Sequence, residues 1–434
     1  MSTNRTAGTG SRRGAAAVLL AASAVIAGAT AGPAQAAGPW STPVVLGQVD
    51  GTSAMRLVSA GDAAGDATVV WTTGGRVTAS TRTASASWSR AATLSPAAET
   101  ASSPAVAVRP DGTFVAVWAA RRSADAVVEA SLRAPGGAWS APVVISAPSL
   151  PSVGGVQVAV DAAGSALVVW GQTTAPSAPS VAAAGLPVGG AWSAPVTLAT
   201  PTGTAIRQVS LAVNAAGAAV VGWTRTAGDI YADVITRPAG GTFGAPTTLG
   251  MGALRPLQDQ LHQLLVSIDP AGRAAAAFDT VRTSVTAQRA DGTWDAPAAF
   301  PFTSLVSNLA LGLEDTGTAR LLWYDSGRIL ESGLAAGQGW SPPVAVLAGS
   351  SPSDLTIVPS GARDVAGWYD TGTNAVTAAV HTAAGWGAPA TVGRLGASPW
   401  IAAVSGAPLG SGALLAWISG GTGPGTVTVS QSTF

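Results

Sequence analysis

Residues able to carry chemistry are few in this chain, and they are scattered. Its 434 residues include two histidines, His262 and His381, and no cysteine. A zinc site would have to draw carboxylates from distant parts of the chain, because no ligand spacing accompanies either histidine. No metal and no cofactor is expected. A Gly-x-Ser-x-Gly elbow, a Walker loop and a Gly-x-Gly-x-x-Gly turn are all missing from the sequence. Glycoside hydrolysis needs two carboxyl groups across one bond, or a tyrosine nucleophile with an acid partner. The four glutamates, Glu99, Glu129, Glu314 and Glu331, show no pairing in the sequence. Of the three tyrosines, Tyr324 and Tyr369 directly follow a tryptophan, and Tyr231 lies a little beyond Trp223. An arginine cluster for an acidic substrate would start from Arg56 and Arg207, but no third arginine matches them.

Composition narrows the field further. Lysine is absent, so arginine supplies all 22 basic residues against 22 acidic ones, and charged residues make up only 10% of the chain. That density is too low for a nucleic-acid surface. Residues 1–36 read as a secretory signal. Arg5, Arg12 and Arg13 form its positive start, Ala15 to Ala31 its apolar run, and Ala34-Gln35-Ala36 its cleavage site. The expected mature chain, residues 37–434, is therefore extracellular and keeps no membrane span. Without cysteine it must be stabilised by core burial rather than disulfides.

The elements that would position these residues come from a repeat. A Trp-Ser-x-Pro element begins at Trp40, Trp88, Trp139, Trp192, Phe243, Trp294, Trp340 and Trp386. A second aromatic ends an apolar run at Trp71, Trp118, Trp170, Trp223, Phe278, Trp323, Trp368 and Trp417. Together these positions hold 14 of the 15 tryptophans, and the one left over is Trp400. A turn glycine lies six residues before the second aromatic in six units, as in Asp161-Ala162-Ala163-Gly164. Glycine reaches a positive φ cheaply, and Asp or Asn supplies the side-chain acceptor such turns favour.

Nearly continuous apolar runs such as Ala166 to Trp170 suit strands covered on both faces. In the Trp192 to Leu198 segment the apolar residues alternate, which reads as an outer strand with one covered face. Proline three residues after the first aromatic fits an edge, where its missing N–H faces solvent. Each unit thus holds four strands, and four-stranded units of 45 to 55 residues predict a β-propeller. The chain opens on an outer strand at Trp40 and ends on three strands of the last unit. That arrangement predicts an eight-bladed ring closed by the N-terminal strand, with seven blades and an odd unit as the alternative.

On these blade residues, Trp192-Ser193 and its copies, the chain resembles secreted bacterial β-propeller repeat proteins and, broadly, the propeller lectins. A fainter likeness to the Asp-box sialidases rests on Asp291-Gly292-Thr293-Trp294, whose spacing departs from that motif and does not recur. The lectin resemblance implies carbohydrate binding without catalysis. The sialidase resemblance implies an extracellular glycoside hydrolase or lyase, which stays open as the alternative.

Where the repeat departs from itself points to a site. About sixteen residues before the second aromatic, the inner strand should start at one rim of the central channel. Arg56, Arg207, His262, Asn308 and Trp400 stand there or within one position, while other units place Ser102, Gly154 and Pro352 there. Hairpins opening on the same rim add Tyr324, Asp325, Tyr369 and Asp370. These nine residues are the candidate ligand contacts. The expected partner is a glycan or another extracellular polymer, with no nucleic acid, and the protein is expected to act as a monomer.

Overall fold

The computed structural model describes residues 40–432 except 51–55, 85–86, 176–177, 253–262, 280–282, 300–308, 314–317, 336–337, 349–351, 361–362, 397–399 and 421–423. The expected signal segment lies outside the described residues. The chain is all-β, with eight antiparallel sheets and no helix among the described residues. Seven of the sheets form from consecutive strands. The eighth joins Val44–Val49 to Gly425–Gln431, so the first strand of the chain completes the last blade. Ser41 extends that join: its backbone N–H donates to the Gln431 carbonyl at 2.8 Å. This is an eight-bladed β-propeller closed as the sequence predicts.

The third blade shows how sequence becomes geometry. Its inner strand Ser152–Val160 turns at Gly164 (φ +87°) into Ala166–Thr173, continues through Pro179–Leu186, and ends in the short outer strand Val196–Ala199. The Asp161 carboxylate accepts the Ser165 N–H at 2.8 Å and sets the turn. The inner strand reaches further toward the rim than the apolar run at Val156 suggests, because it crosses a bulge at residues 155–156.

Eight hydrophobic clusters fill the ring, one at each junction between blades. In each, the second aromatic of one blade lies against the blade before it. Trp170 packs on Val117 and Val128, while Trp71 packs on Leu414 and Val427 across the closure. These second aromatics are all fully buried. The first aromatics are only half-buried. Gly47 on the N-terminal strand lies under Trp71, where a Cβ would come within 2.8 Å of the indole.

One expectation needs correction. The outer strand starts only at Val196, after Pro195, and both Ala194 and Val196 are exposed, Val196 by 58%; only Trp192 and Leu198 keep partial cover. The outer strand sits at the circumference, where no further blade packs over its middle.

Candidate functional site

The inner strands stand side by side around the axis, with one edge of each unpaired within its own sheet. Bare strand edges need partners, and side chains from neighbouring blades supply some. Gln208 accepts the Leu264 N–H at 2.9 Å, Ser210 the Val266 N–H at 3.2 Å, and Gln263 the Leu309 N–H at 3.0 Å. The sequence reading missed these residues. Gln208 and Gln263 share one repeat position, fifteen before the second aromatic, and that coincidence was the available signal. Asn308 has the same place in the next unit.

At the rim where the inner strands start, the candidates separate. Arg56 is exposed just before the strand Leu57–Gly61, and its N–H donates to Thr72 Oγ1 at 2.9 Å. Arg207 is exposed at a bulge in Ala205–Val213, and its Nε donates to Thr226 Oγ1 at 3.0 Å. Trp400 opens the inner strand of the last blade. His262 and Asn308 lie outside the described residues.

The hairpin candidates have local work. Asp370 is buried, and its Oδ1 accepts the N–H groups of Gly372 at 2.9 Å and Thr373 at 3.1 Å, which builds its own turn. The Tyr369 hydroxyl donates to Asn374 at 3.0 Å within the same hairpin. Tyr324 and Asp325 end the second strand of the sixth blade, half-buried, and Asp325 accepts the Ser326 hydroxyl at 3.0 Å. These contacts hold hairpin shape at Asp325, Tyr369 and Asp370, whereas Arg56 and Arg207 are exposed at the rim.

Two arginines from the corresponding hairpins of the second and fourth blades are also committed. Arg122 bridges Glu99 and Glu129, and Trp118 Nε1 donates to Glu129 at 2.9 Å. Burial, and then the neighbouring Glu99 carboxylate, push Glu129 above the usual glutamate range. Arg225 pairs with the buried Asp233 at 2.5 Å and lies 4.1 Å over the Tyr231 ring. Both clusters pin the second-to-third-strand hairpins to the blade body.

Asp354 is a rim residue two positions beyond Pro352, where the inner strand of the seventh blade starts. It sits in a bulge opposite the repeat Trp368 with φ +52°, a conformation that favours glycine. Ser103 (φ +49°) and Gly155 (φ +61°) occupy the matching bulges of the second and third blades. Burial raises the Asp354 pKa, and its recorded hydrogen-bond partner is Ser353 at 3.5 Å. Among the described residues no three potential metal ligands come together, and no helix is long and apolar enough to cross a membrane.

The fold and rim define a β-propeller with a polar mouth. No protein-family model matches the chain, and no curated protein matches it by sequence. Among solved structures it is similar to puromycin hydrolase, with a TM-score of 0.50 and 16% identity over 88% of this chain. The chain spans 61% of that protein's length, and the likeness shows the fold alone. Weaker likenesses are to AofleA from Arthrobotrys oligospora (TM-score 0.39, 14% identity, 68% of this chain and 88% of that one) and to the Aleuria aurantia lectin (0.37, 10%, 67% and 95%).

Proposed function

We propose that this protein is a secreted, non-catalytic binding module that takes carbohydrate or another extracellular polymer at the rim formed by its inner-strand starts. One observation carries the reading. Packing positions repeat from blade to blade, whereas rim positions change type, and two of them are exposed arginines, Arg56 and Arg207. Planar guanidinium groups donate several hydrogen bonds in a fixed fork and suit ring hydroxyls or acidic substituents. Recognition without turnover fits the carboxyl pair Glu99 and Glu129, both of which Arg122 engages directly. Residues 37–434 on a glycan array test the proposal. Arg56→Ala with Arg207→Ala should weaken the strongest signal at least tenfold, about 1.4 kcal/mol, with an unchanged melting temperature. Full binding by the double variant would refute it.

A further inference from the structure

The first aromatic of each unit lies over the junction with the blade before it. Trp192 packs on the cluster between the second and third blades, and Trp139 on the one between the first and second. Two indoles reach the third strand of the preceding blade. Trp340 Nε1 donates to the Thr286 carbonyl at 3.5 Å, and Trp386 Nε1 donates to Glu331. Seven units place tryptophan here, and the fourth places Phe243.

The wall facing Phe243 is small as well. In the third blade, the third-strand residues paired one and three positions before the second aromatic are Ala183 and Gly185. The same two places hold Ala130 and Leu132 in the second blade, and Val234 and Thr236 in the fourth. None of the other seven blades combines alanine with glycine there. An added Cβ at Gly185 would meet nothing closer than 3.9 Å. A smaller ring over a smaller wall leaves space, and a cleft of about 430 Å³ lies between the third and fourth blades. Ala183, Gly185, Val196, Leu198 and Phe243 supply much of its apolar surface.

Among the described residues, Arg237 is the one charged side chain lining this cleft. Its guanidinium lies 5.2 Å over the Phe243 ring. Its Nη2 donates at 3.0 Å to the carbonyl of Gly217, in the turn on the face opposite the mouth. Nε and Nη1 make no hydrogen bond among the described residues, yet they are not buried as the unpaired Nε atoms of Arg82 and Arg109 are. Burial lowers the Arg237 pKa, and the charge of Asp161 only partly offsets this. Asp161 borders a smaller cleft of about 220 Å³ that shares Arg237 with the larger one, and it makes no direct ion pair with the guanidinium. A partly desolvated cation with no carboxylate in contact favours an anionic partner.

We infer that the cleft between the third and fourth blades is a second binding site, for a small aromatic carboxylic acid. The ligand's ring takes the kind of place that an indole fills at the other junctions, between Phe243 and the wall of Ala183 and Gly185. Its carboxylate accepts from the accessible Nε and Nη1 groups of Arg237, whose planar fork suits two oxygens. The volume equals about fourteen waters at roughly 30 Å³ each, room for a bicyclic ring with a short acidic tail. Neither the place nor the ligand class rests on the carbohydrate reading of the mouth.

The test is calorimetry and saturation-transfer NMR on the purified protein with indole-3-acetate and phenylacetate, beside indole and acetate. At least one of the two aromatic acids should bind saturably, with indole at least about fivefold weaker and acetate not bound. Phe243→Trp, which restores the residue of the other seven units, should weaken the acid more than about tenfold. Gly185→Leu puts the second blade's residue into the facing wall and should do the same; it decides if Phe243→Trp does not fold. Arg237→Gln keeps a donor for Gly217. It should weaken the acid about fivefold and leave indole unchanged, a split that lost packing alone would not give. The Arg56→Ala, Arg207→Ala variant should bind the acid normally. No saturable binding of either acid, binding unchanged by the cleft-filling variants, or indole bound as tightly as the acid overturns the inference. The glycan-array signal is the separate readout of the mouth reading, so the two can fail independently.

Discussion

The two faces of the ring are built from the same eight strands, yet they obey different rules. On the turn face, residue types recur because each must satisfy a neighbour: Asp161 fixes its own turn, and Asn214 Nδ2 donates to the Asp269 carbonyl at 2.9 Å in the next blade. On the mouth face the inner strands start with Arg56, Ser103, Gly155, Arg207 and Asp354 at or near the rim. The difference teaches where the structure leaves residues free to vary. Packing constrains the middle and one end of each blade, and residue types vary more at the other end.

The largest effect should come from opening the ring, which both faces share. Deleting residues 37–48 removes most of the strand paired with Gly425–Gln431, together with Leu46 of the closure cluster. Stability should drop by several kcal/mol because apolar surface on both neighbours is bared. An unchanged melting temperature would mean the join is dispensable.

Next in size is the contrast between the two aromatic sets. Trp170→Ala, at a fully buried position, should cost about 3–5 kcal/mol, and Trp192→Ala, half-buried, clearly less. Chemical denaturation of both variants checks this. Equal losses would place the first aromatics in the core as well.

How much of this was legible in the sequence follows from the same contrast. Blade count, closure and the second-aromatic core could be read because burial fixes residue type at a fixed spacing. Trp71 and Trp417 signal their packing without coordinates. The roles of Asp370 and Arg122 could not be read, since an acidic or basic residue in a hairpin looks the same whether it caps a turn or meets a ligand. Gln208 and Gln263 were obscured because a channel-edge acceptor follows neither the strand's alternation nor the turn's signature.

Smaller effects sharpen the mouth's side of the comparison. Glu129 has a raised pKa in the folded chain, so the fold binds more protons than the unfolded chain between the ordinary glutamate value and the raised one. Stability should therefore fall as pH rises through that window. Glu129→Gln should flatten this dependence in melting curves taken across it, and a slope that persists would remove Glu129 as its source. Asp354→Gly should stabilise the ring by about 1 kcal/mol, because glycine adopts the positive φ without strain. Destabilisation instead would show that the carboxylate holds the bulge.

The central claim is that variation at the mouth serves recognition. Its most direct measurement is the affinity of Arg56→Ala with Arg207→Ala for the glycan that residues 37–434 select from an array, beside its melting temperature. The account predicts at least a tenfold loss of affinity, about 1.4 kcal/mol, with the melting temperature unchanged. Native affinity in that variant, or a loss that merely tracks unfolding, would contradict it.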